Sequence, residues 1–308
     1  MAVGGLILKE LFSDNEIKYN HMANVHNHFL KFEQNVSLSP SRKKKLIASR
    51  KALEKRITEY FQAHAKLLVP KFYIQGSYKM GTMIMDKESS YDVDLGVYFL
   101  EKPNIEPLSL QKNVFNAVNG HTNDVPQHKE KCIRVIYRGD FDIDIPVYYK
   151  TPNDKHPFLA TKNGWVPSDP KELCDWFEKK KDKNGQLMRL VKYFKSWANH
   201  RAKKMPSGIA FTVWIANNYK PNSRDDKAFY ETAQAIETCF GGGLVDTVSM
   251  NPATPNDNLL KLDFNQRSNF KEMYRHMLAE AKLAVETTSN EKACNIWKQL
   301  FGDKFPSS

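Results

Sequence analysis

Tyr91-Asp92-Val93-Asp94-Leu95-Gly96-Val97-Tyr98-Phe99 carries two carboxylates, two residues apart, into a strongly β-prone run. Side chains two apart on a strand leave the same face, so Asp92 and Asp94 can converge on one hard cation. Without a counter-charge the pair would repel itself. The plainer reading leaves both at the solvated mouth of the strand, with Asp92 ending the preceding turn. What surrounds the run decides between the two.

Upstream, Phe72-Tyr73-Ile74 is a short apolar strand that runs into Gln75-Gly76-Ser77 and then Tyr78-Lys79-Met80-Gly81-Thr82. A Gly-Ser turn can offer backbone N–H groups and a hydroxyl to phosphate oxygens, although most such pairs are ordinary turns. Downstream lie two further β-rich runs, Ile133–Tyr137 and Ile143–Tyr149, and helical spacing covers Leu108 to Val118. Strand, helix and strands between Pro70 and Lys150 predict a mixed sheet rather than an all-β domain. In Asp140-Phe141-Asp142-Ile143-Asp144-Ile145-Pro146, Asp142 and Asp144 share one face, and Phe141, Ile143 and Ile145 take the buried one. One of these acids could complete a metal site. The alternatives are a salt bridge to Arg134 or Arg138 on an adjacent strand, or exposure at a sheet edge that tolerates Pro146.

The segments flanking this region are helical. Ile17, Met22, Val25, Phe29 and Phe32, then Leu46, Leu53, Ile57 and Phe61, recur at helical spacing, and Ser39-Pro40 starts the second, long and basic helix near Ser41. After Pro167-Ser168-Asp169-Pro170, helices are predicted near 171–181, 185–203, 207–219, 226–239, 266–286 and 290–300. Lys plus Arg exceed Asp plus Glu by 46 to 35 over 308 residues, which suits a polyanionic partner such as a triphosphate or a nucleic acid, or simply a solvated basic surface. The four cysteines show no zinc-site spacing, and 18 apolar residues nowhere run together. Met1 to Phe12 lacks the basic start and cleavage pattern of a signal peptide, so a cytoplasmic protein is expected, with no membrane partner.

The Gly-Ser turn, the paired-Asp strand and the later Asp strand, in that order, resemble the active-site layout of the polymerase-β nucleotidyltransferase superfamily. The resemblance implies that Asp92, Asp94 and a third acid are catalytic and hold two Mg²⁺ ions, with Mn²⁺ as the alternative metal. Asp144 is preferred as the third, because in bacterial relatives the carboxylate directly precedes a hydrophobic-Pro pair, as in Asp144-Ile145-Pro146; Asp142 is the runner-up. Leu190-Val191-Lys192-Tyr193-Phe194-Lys195-Ser196-Trp197 looks like the family's helix with a triphosphate-binding lysine, which selects Lys195. Met205-Pro206-Ser207-Gly208-Ile209-Ala210 looks like the turn where a serine, here Ser207, meets a phosphate at a helix N-terminus. A surface lysine and a plain helix cap are the ordinary readings of these two residues.

Asn295 to Pro306 resembles the closing segment of bacterial cGAS/DncV-like nucleotidyltransferases, so the likeness spans nearly the whole chain. It implies an α+β fold: a polymerase-β-like core, a mixed sheet flanked by helices, packed against a C-terminal helical lobe and braced by a long N-terminal helix. Residues 1–165 would form the first part and 166–308 the second, with the nucleotide cleft between them. Gln75, Gly76, Ser77, Lys195 and Ser207 would grip the triphosphate. The implied activity is template-independent synthesis of a cyclic di- or trinucleotide from nucleoside triphosphates, ATP among them, in bacterial antiphage defence. A regulatory protein, a phage-derived activator or nucleic acid are the further partners it admits. Transfer to RNA or to a protein hydroxyl is the alternative activity, and a non-catalytic nucleotide- or RNA-binding protein is the alternative class. The cysteine-histidine zinc thumb of animal cGAS has no counterpart here.

Overall fold

The computed structural model describes residues 22–64, 68–85, 90–240, 248–254 and 256–308. Met1 to Phe12, Ile17 and the Gly241-Gly242-Gly243 turn lie outside the described residues.

Two helices open the described chain, α1 (His26–Val36) and α2 (Pro40–Ala63). The Ser-Pro start of α2 is observed: Ser39 Oγ accepts from the Arg42 N–H at 3.3 Å and Pro40 occupies the first turn. Leu46, Leu53, Ile57 and Phe61 line its buried face, which leaves Lys43, Lys44 and Lys45 to solvent.

The sheet has eight strands: β1 (Lys71–Gln75), β2 (Asp92–Phe99), β3 (Gln127–His128), β4 (Ile133–Tyr137), β5 (Phe141–Ile145), β6 (Val147–Tyr149), β7 (Phe158–Thr161) and β8 (Gly164–Pro167). The short helix α3 (Gly76–Met80) follows β1, and α4 (Pro107–Val118) crosses over after β2. Strand β2 is central, antiparallel to β1 on one side and parallel to β5 and then β6 on the other. The run read from sequence as one strand over Ile143–Tyr149 is two strands. Pro146 has no N–H to give the ladder, yet its carbonyl still accepts from Val97 N at 3.0 Å, so register with β2 continues through the break. At that break the other edge changes partner: β5 pairs with β4, and β6 pairs with β7.

One face of the sheet is apolar. Val93, Leu95, Ile143, Ile145, Ile133 and Val135 form a core with α2 and α4. A second core is helical, built by α1, α5 (Pro170–Lys180), α6 (Gln186–Asn199), α7 (Gly208–Asn218), α8 (Asp225–Thr238), α9 (Phe264–Glu286) and α10 (Asn290–Phe301). Phe29 of α1 sits edge-on to Tyr193 of α6 and Trp297 of α10, at ring separations of 5.0 and 4.9 Å. The two N-terminal helices are thereby shared, α1 going to the helical core and α2 to the sheet. This is an α+β fold with a mixed sheet, a C-terminal helical lobe and a long N-terminal helix. Helix α6 ends at Asn199, before the 203 that periodicity predicts, and just beyond it the Arg201 guanidinium donates to the Leu300 carbonyl in α10 at 2.8 Å.

Candidate active site

The unburied face of β2 and β5 carries the acids. In the parallel register Asp92 lies beside Asp142 and Asp94 beside Asp144, and on β4 Arg134 lies opposite Asp144. The alternating pattern therefore puts all five on one face, with valines and isoleucines on the other. Arg134 gathers the acids. Its Nε and Nη2 donate to Asp144 at 2.7 and 2.6 Å, Nη1 donates to Asp142 at 2.9 Å, and Nη2 also reaches Asp92 at 3.3 Å. Of the two ion-pair partners considered from sequence, Arg134 is the one used; Arg138 pairs with Asp124.

Asp94 is the most strained carboxyl of the group. Burial first, then the neighbouring Asp92 and Asp144 charges, push its pKa up to about 7, against the opposing pull of Arg134 and Lys195. Asp142 is also raised, chiefly by burial. Crowded carboxylate oxygens are the donor set a hard divalent cation takes, and its charge would add to that of Arg134 in relieving this repulsion. The residues fit Mg²⁺ or Mn²⁺ held by Asp92, Asp94 and a third acid from β5.

Gln75 ends β1 directly beside Asp94. The chain then turns at Gly76 with φ +65°, where a Cβ would stand 2.1 Å from Asp94 Oδ2. Only glycine lets this backbone approach the carboxylate. Ser77 lies in the short helix α3, and its carbonyl accepts from Thr82 N at 2.9 Å, which folds the segment back on itself. The Gln75 side chain is committed elsewhere: its Nε2 donates to Tyr148 at 3.1 Å, and Tyr98 donates to its Oε1 at 3.0 Å. Gln75 thus locks β1 to β2 and β6, which leaves its backbone rather than its amide for a ligand.

From the helical side, Lys195 on α6 reaches the same space. Its Nζ donates to Thr82 O and Oγ1 at 3.1 and 3.3 Å. Burial pulls its pKa down to about 8, although Asp92 and Asp94 oppose this. Ser207 caps α7 by accepting from Ala210 N at 3.3 Å and is solvent-exposed. Its neighbour Gly208 lines the cavity, and a Cβ there would come within 3.0 Å of Lys195 Cε. The cavity is about 570 Å³ and is bounded by Gly76, Ser77, Asp92, Asp94, Asp142 and Lys195, among others. Asp144 and Ser207 lie outside its lining. Sequence reading did not single out Thr82, Asn199 or Thr212 of this wall. Thr82 was visible only as the residue after Gly81, and its role depends on a lysine far along the chain.

A left-handed glycine turn, clustered acids on two parallel neighbours of a mixed sheet, and a lysine from a helical lobe define a nucleotidyltransferase-type site. Residues 70–148 match the family described as cyclic GMP-AMP synthase DncV-like, nucleotidyltransferase domain. The chain is 35% identical over 184 residues to a cyclic GMP-AMP synthase of Escherichia albertii, covering 54% of this chain and 41% of that protein. It is 26% identical over 154 residues to a cyclic AMP-AMP-AMP synthase of an Acinetobacter species, covering 47% and 44%. The chain thus spans less than half the length of these two curated relatives. The crystal structure of Vibrio cholerae DncV in its apo form superposes with a TM-score of 0.80 over 93% of this chain and 97% of that one, at 18% identity. Escherichia coli DncV bound to 3'-deoxy GTP gives 0.72 over 88% and 93%, at 20% identity. Residues 70–148 thus match the DncV-like nucleotidyltransferase domain, and the chain has the DncV fold over nearly its whole described length. Among the described residues no helix is long and apolar enough to cross a membrane.

Proposed function

We propose that the chain is a template-independent nucleotidyltransferase that joins nucleoside triphosphates into a cyclic di- or trinucleotide, acting in bacterial antiphage signalling. The observation that carries this reading is the strand register, which sets Asp92 and Asp94 beside Asp142 and Asp144 next to the Gly76 turn. Two Mg²⁺ ions held by Asp92, Asp94 and Asp144 would activate a hydroxyl and neutralise the departing pyrophosphate. The turn at Gly76 and the Ser77 hydroxyl meet the phosphates from the sheet side, and Lys195 brings a positive charge from the helical side. Ser207 and the N-terminus of α7 lie beyond Gly208, at the rim, where they would meet the outer phosphate. The ribose hydroxyl of a second nucleotide attacks the α-phosphorus; the new O–P bond forms as the bond to pyrophosphate breaks. Asp144, released from the Arg134 guanidinium that holds both its oxygens, would take the hydroxyl proton.

The matched relatives are named for three different products, cyclic GMP-AMP, cyclic AMP-AMP-AMP and c-di-GMP, so base choice and ring size do not transfer by likeness. Incubation with labelled ATP, GTP, CTP and UTP and Mg²⁺, followed by phosphatase and mass spectrometry, tests the reading. A small phosphatase-resistant product is expected. Label found only on added RNA or on protein would instead assign the transferase a macromolecular acceptor.

The third acid can be assigned separately. Asp144 is the register partner of Asp94 and contributes to its raised pKa, whereas Asp142 lies beside the more exposed Asp92. Asp144→Asn is therefore expected to lower the rate by about 10²-fold or more, and Asp142→Asn by less than about tenfold. The opposite order, measured as initial rates at saturating triphosphate, would transfer the role to Asp142.

A further inference from the structure

On the far side of α5 from the acid cluster, a different set of ligating groups comes together. His156 Nδ1 lies 3.4 Å from Asp169 Oδ2 and 3.3 Å from Glu172 Oε2. One donor atom from each residue falls within 4.8 Å of both others, and among the described residues this is the one such trio of potential ligands. Asp169 and the imidazole are largely buried; Glu172 opens to solvent. The other Asp169 oxygen caps α5 by accepting from Glu172 N at 2.9 Å, which fixes the carboxylate's orientation.

We propose that His156, Asp169 and Glu172 bind a single borderline divalent cation, Zn²⁺ in the first instance, that ties the segment ahead of β7 to the N-terminus of α5. The distances favour an ion over a simple ion pair. Charge-assisted N–H···O contacts close to about 2.7–2.9 Å, and both contacts here are longer. Ligands about 2.05 Å from a tetrahedral Zn²⁺ stand about 3.3–3.4 Å from one another, the separation of His156 Nδ1 from each carboxylate oxygen here. One Nδ1 proton also cannot serve two carboxylates well. One imidazole and two carboxylates balance a 2+ ion, and the exposed side near Glu172 gives a fourth position to water.

The consequence reaches the nucleotide cavity through α5. Asp169 caps α5 and Glu172 lies in its first turn, both lining a separate pocket, while Pro170 and Leu173 of the same helix line the nucleotide cavity. A clamp on one side therefore stiffens the wall on the other. The site itself stands whether or not the chain makes cyclic nucleotides.

Equilibrium dialysis of the chelator-stripped protein against Zn²⁺, with excess Mg²⁺ present, tests the assignment. One Zn²⁺ per chain is expected, retained in the Asp92→Asn/Asp94→Asn variant and weakened roughly 10²-fold in His156→Ala. Zn²⁺ should raise Tm in wild type and not in His156→Ala. Co²⁺ added to the unmutated protein should give the intense visible absorption of a tetrahedral ion, a readout independent of whether the variant folds. Equal Zn²⁺ binding by His156→Ala, loss of Zn²⁺ in the aspartate variant, or only weak octahedral Co²⁺ absorption overturns it.

Discussion

Asp94→Asn is expected to lose at least ~10³-fold of product formation while melting at a higher temperature than wild type in chelator-containing buffer at pH 8. The two effects have one cause. Burial, Asp92 and Asp144 raise the Asp94 carboxyl from 3.8 to about 7, so the folded chain holds an ionised group it disfavours. The raised pKa means that above about 7 the carboxylate is charged in both folded and unfolded chains, and folding bears the full cost. Between about 7 and 3.8 the folded chain takes up the proton first, and the cost fades; below 3.8 both states are neutral and it is gone. Asn is nearly isosteric and carries no charge. Its advantage in Tm, roughly a few degrees for a chain of this size, should thus be full at pH 8 and vanish near pH 4. Stability given up at a site that chemistry needs is the usual signature of function. Wild-type rate in the variant would remove Asp94 from catalysis, and a lower Tm at pH 8 would refute the electrostatic account.

Much of this site was legible because strands write their geometry into the chain two residues at a time. Asp92, Asp94, Asp142 and Asp144 alternate with buried valines and isoleucines, so their common face followed from sequence, and the register sets them side by side. The split at Pro146 was not read, although the missing N–H announces it; the apolar run on both sides masked the break. Strands β7 and β8 were missed for a different reason. Phe158–Thr161 and Gly164–Pro167 are too short and too mixed to show a period, and only Asn163-Gly164, where Thr161 Oγ1 donates to Gly164 O at 2.8 Å, marks the hairpin.

Side-chain commitments were less visible than backbone placement. Gln75 reads as part of a phosphate turn, yet its amide is consumed by Tyr98 and Tyr148, which come from two strands and stack at 4.5 Å. Nothing local announces such a network, because its members are brought together only by β2–β6 pairing. Lys195 and Ser207 depended on likeness to other chains, not on period. The fold places the lysine in the cavity wall and the serine at a helix cap beside it. The Arg134 clamp sits between these extremes. An arginine one strand from two aspartates was a recognisable pair, but its reach to Asp92 as well follows from the order β4-β5-β2.

Gly76→Ala is expected to reduce activity by about 10²-fold or more, because the added methyl has nowhere to go. Its Cβ would lie 2.1 Å from Asp94 Oδ2 and 3.1 Å from Asp94 Cγ, well inside contact distance. Either Asp94 leaves its place beside Asp144, or the turn withdraws and takes Ser77 with it. A displacement of about 1 Å at reacting groups is enough for a loss of this size. The left-handed φ of +65° adds a backbone cost of about 1–2 kcal/mol that is separate from the clash. Gly139→Ala isolates that second effect: Gly139 has φ +77°, and nothing lies within 4 Å of a Cβ built there. Both variants should therefore lose some stability, read as Tm, but only Gly76→Ala should lose the reaction. If the two variants prove equally active, the turn does not press on the carboxylate, and the coupling of the phosphate-binding segment to the acids is wrong.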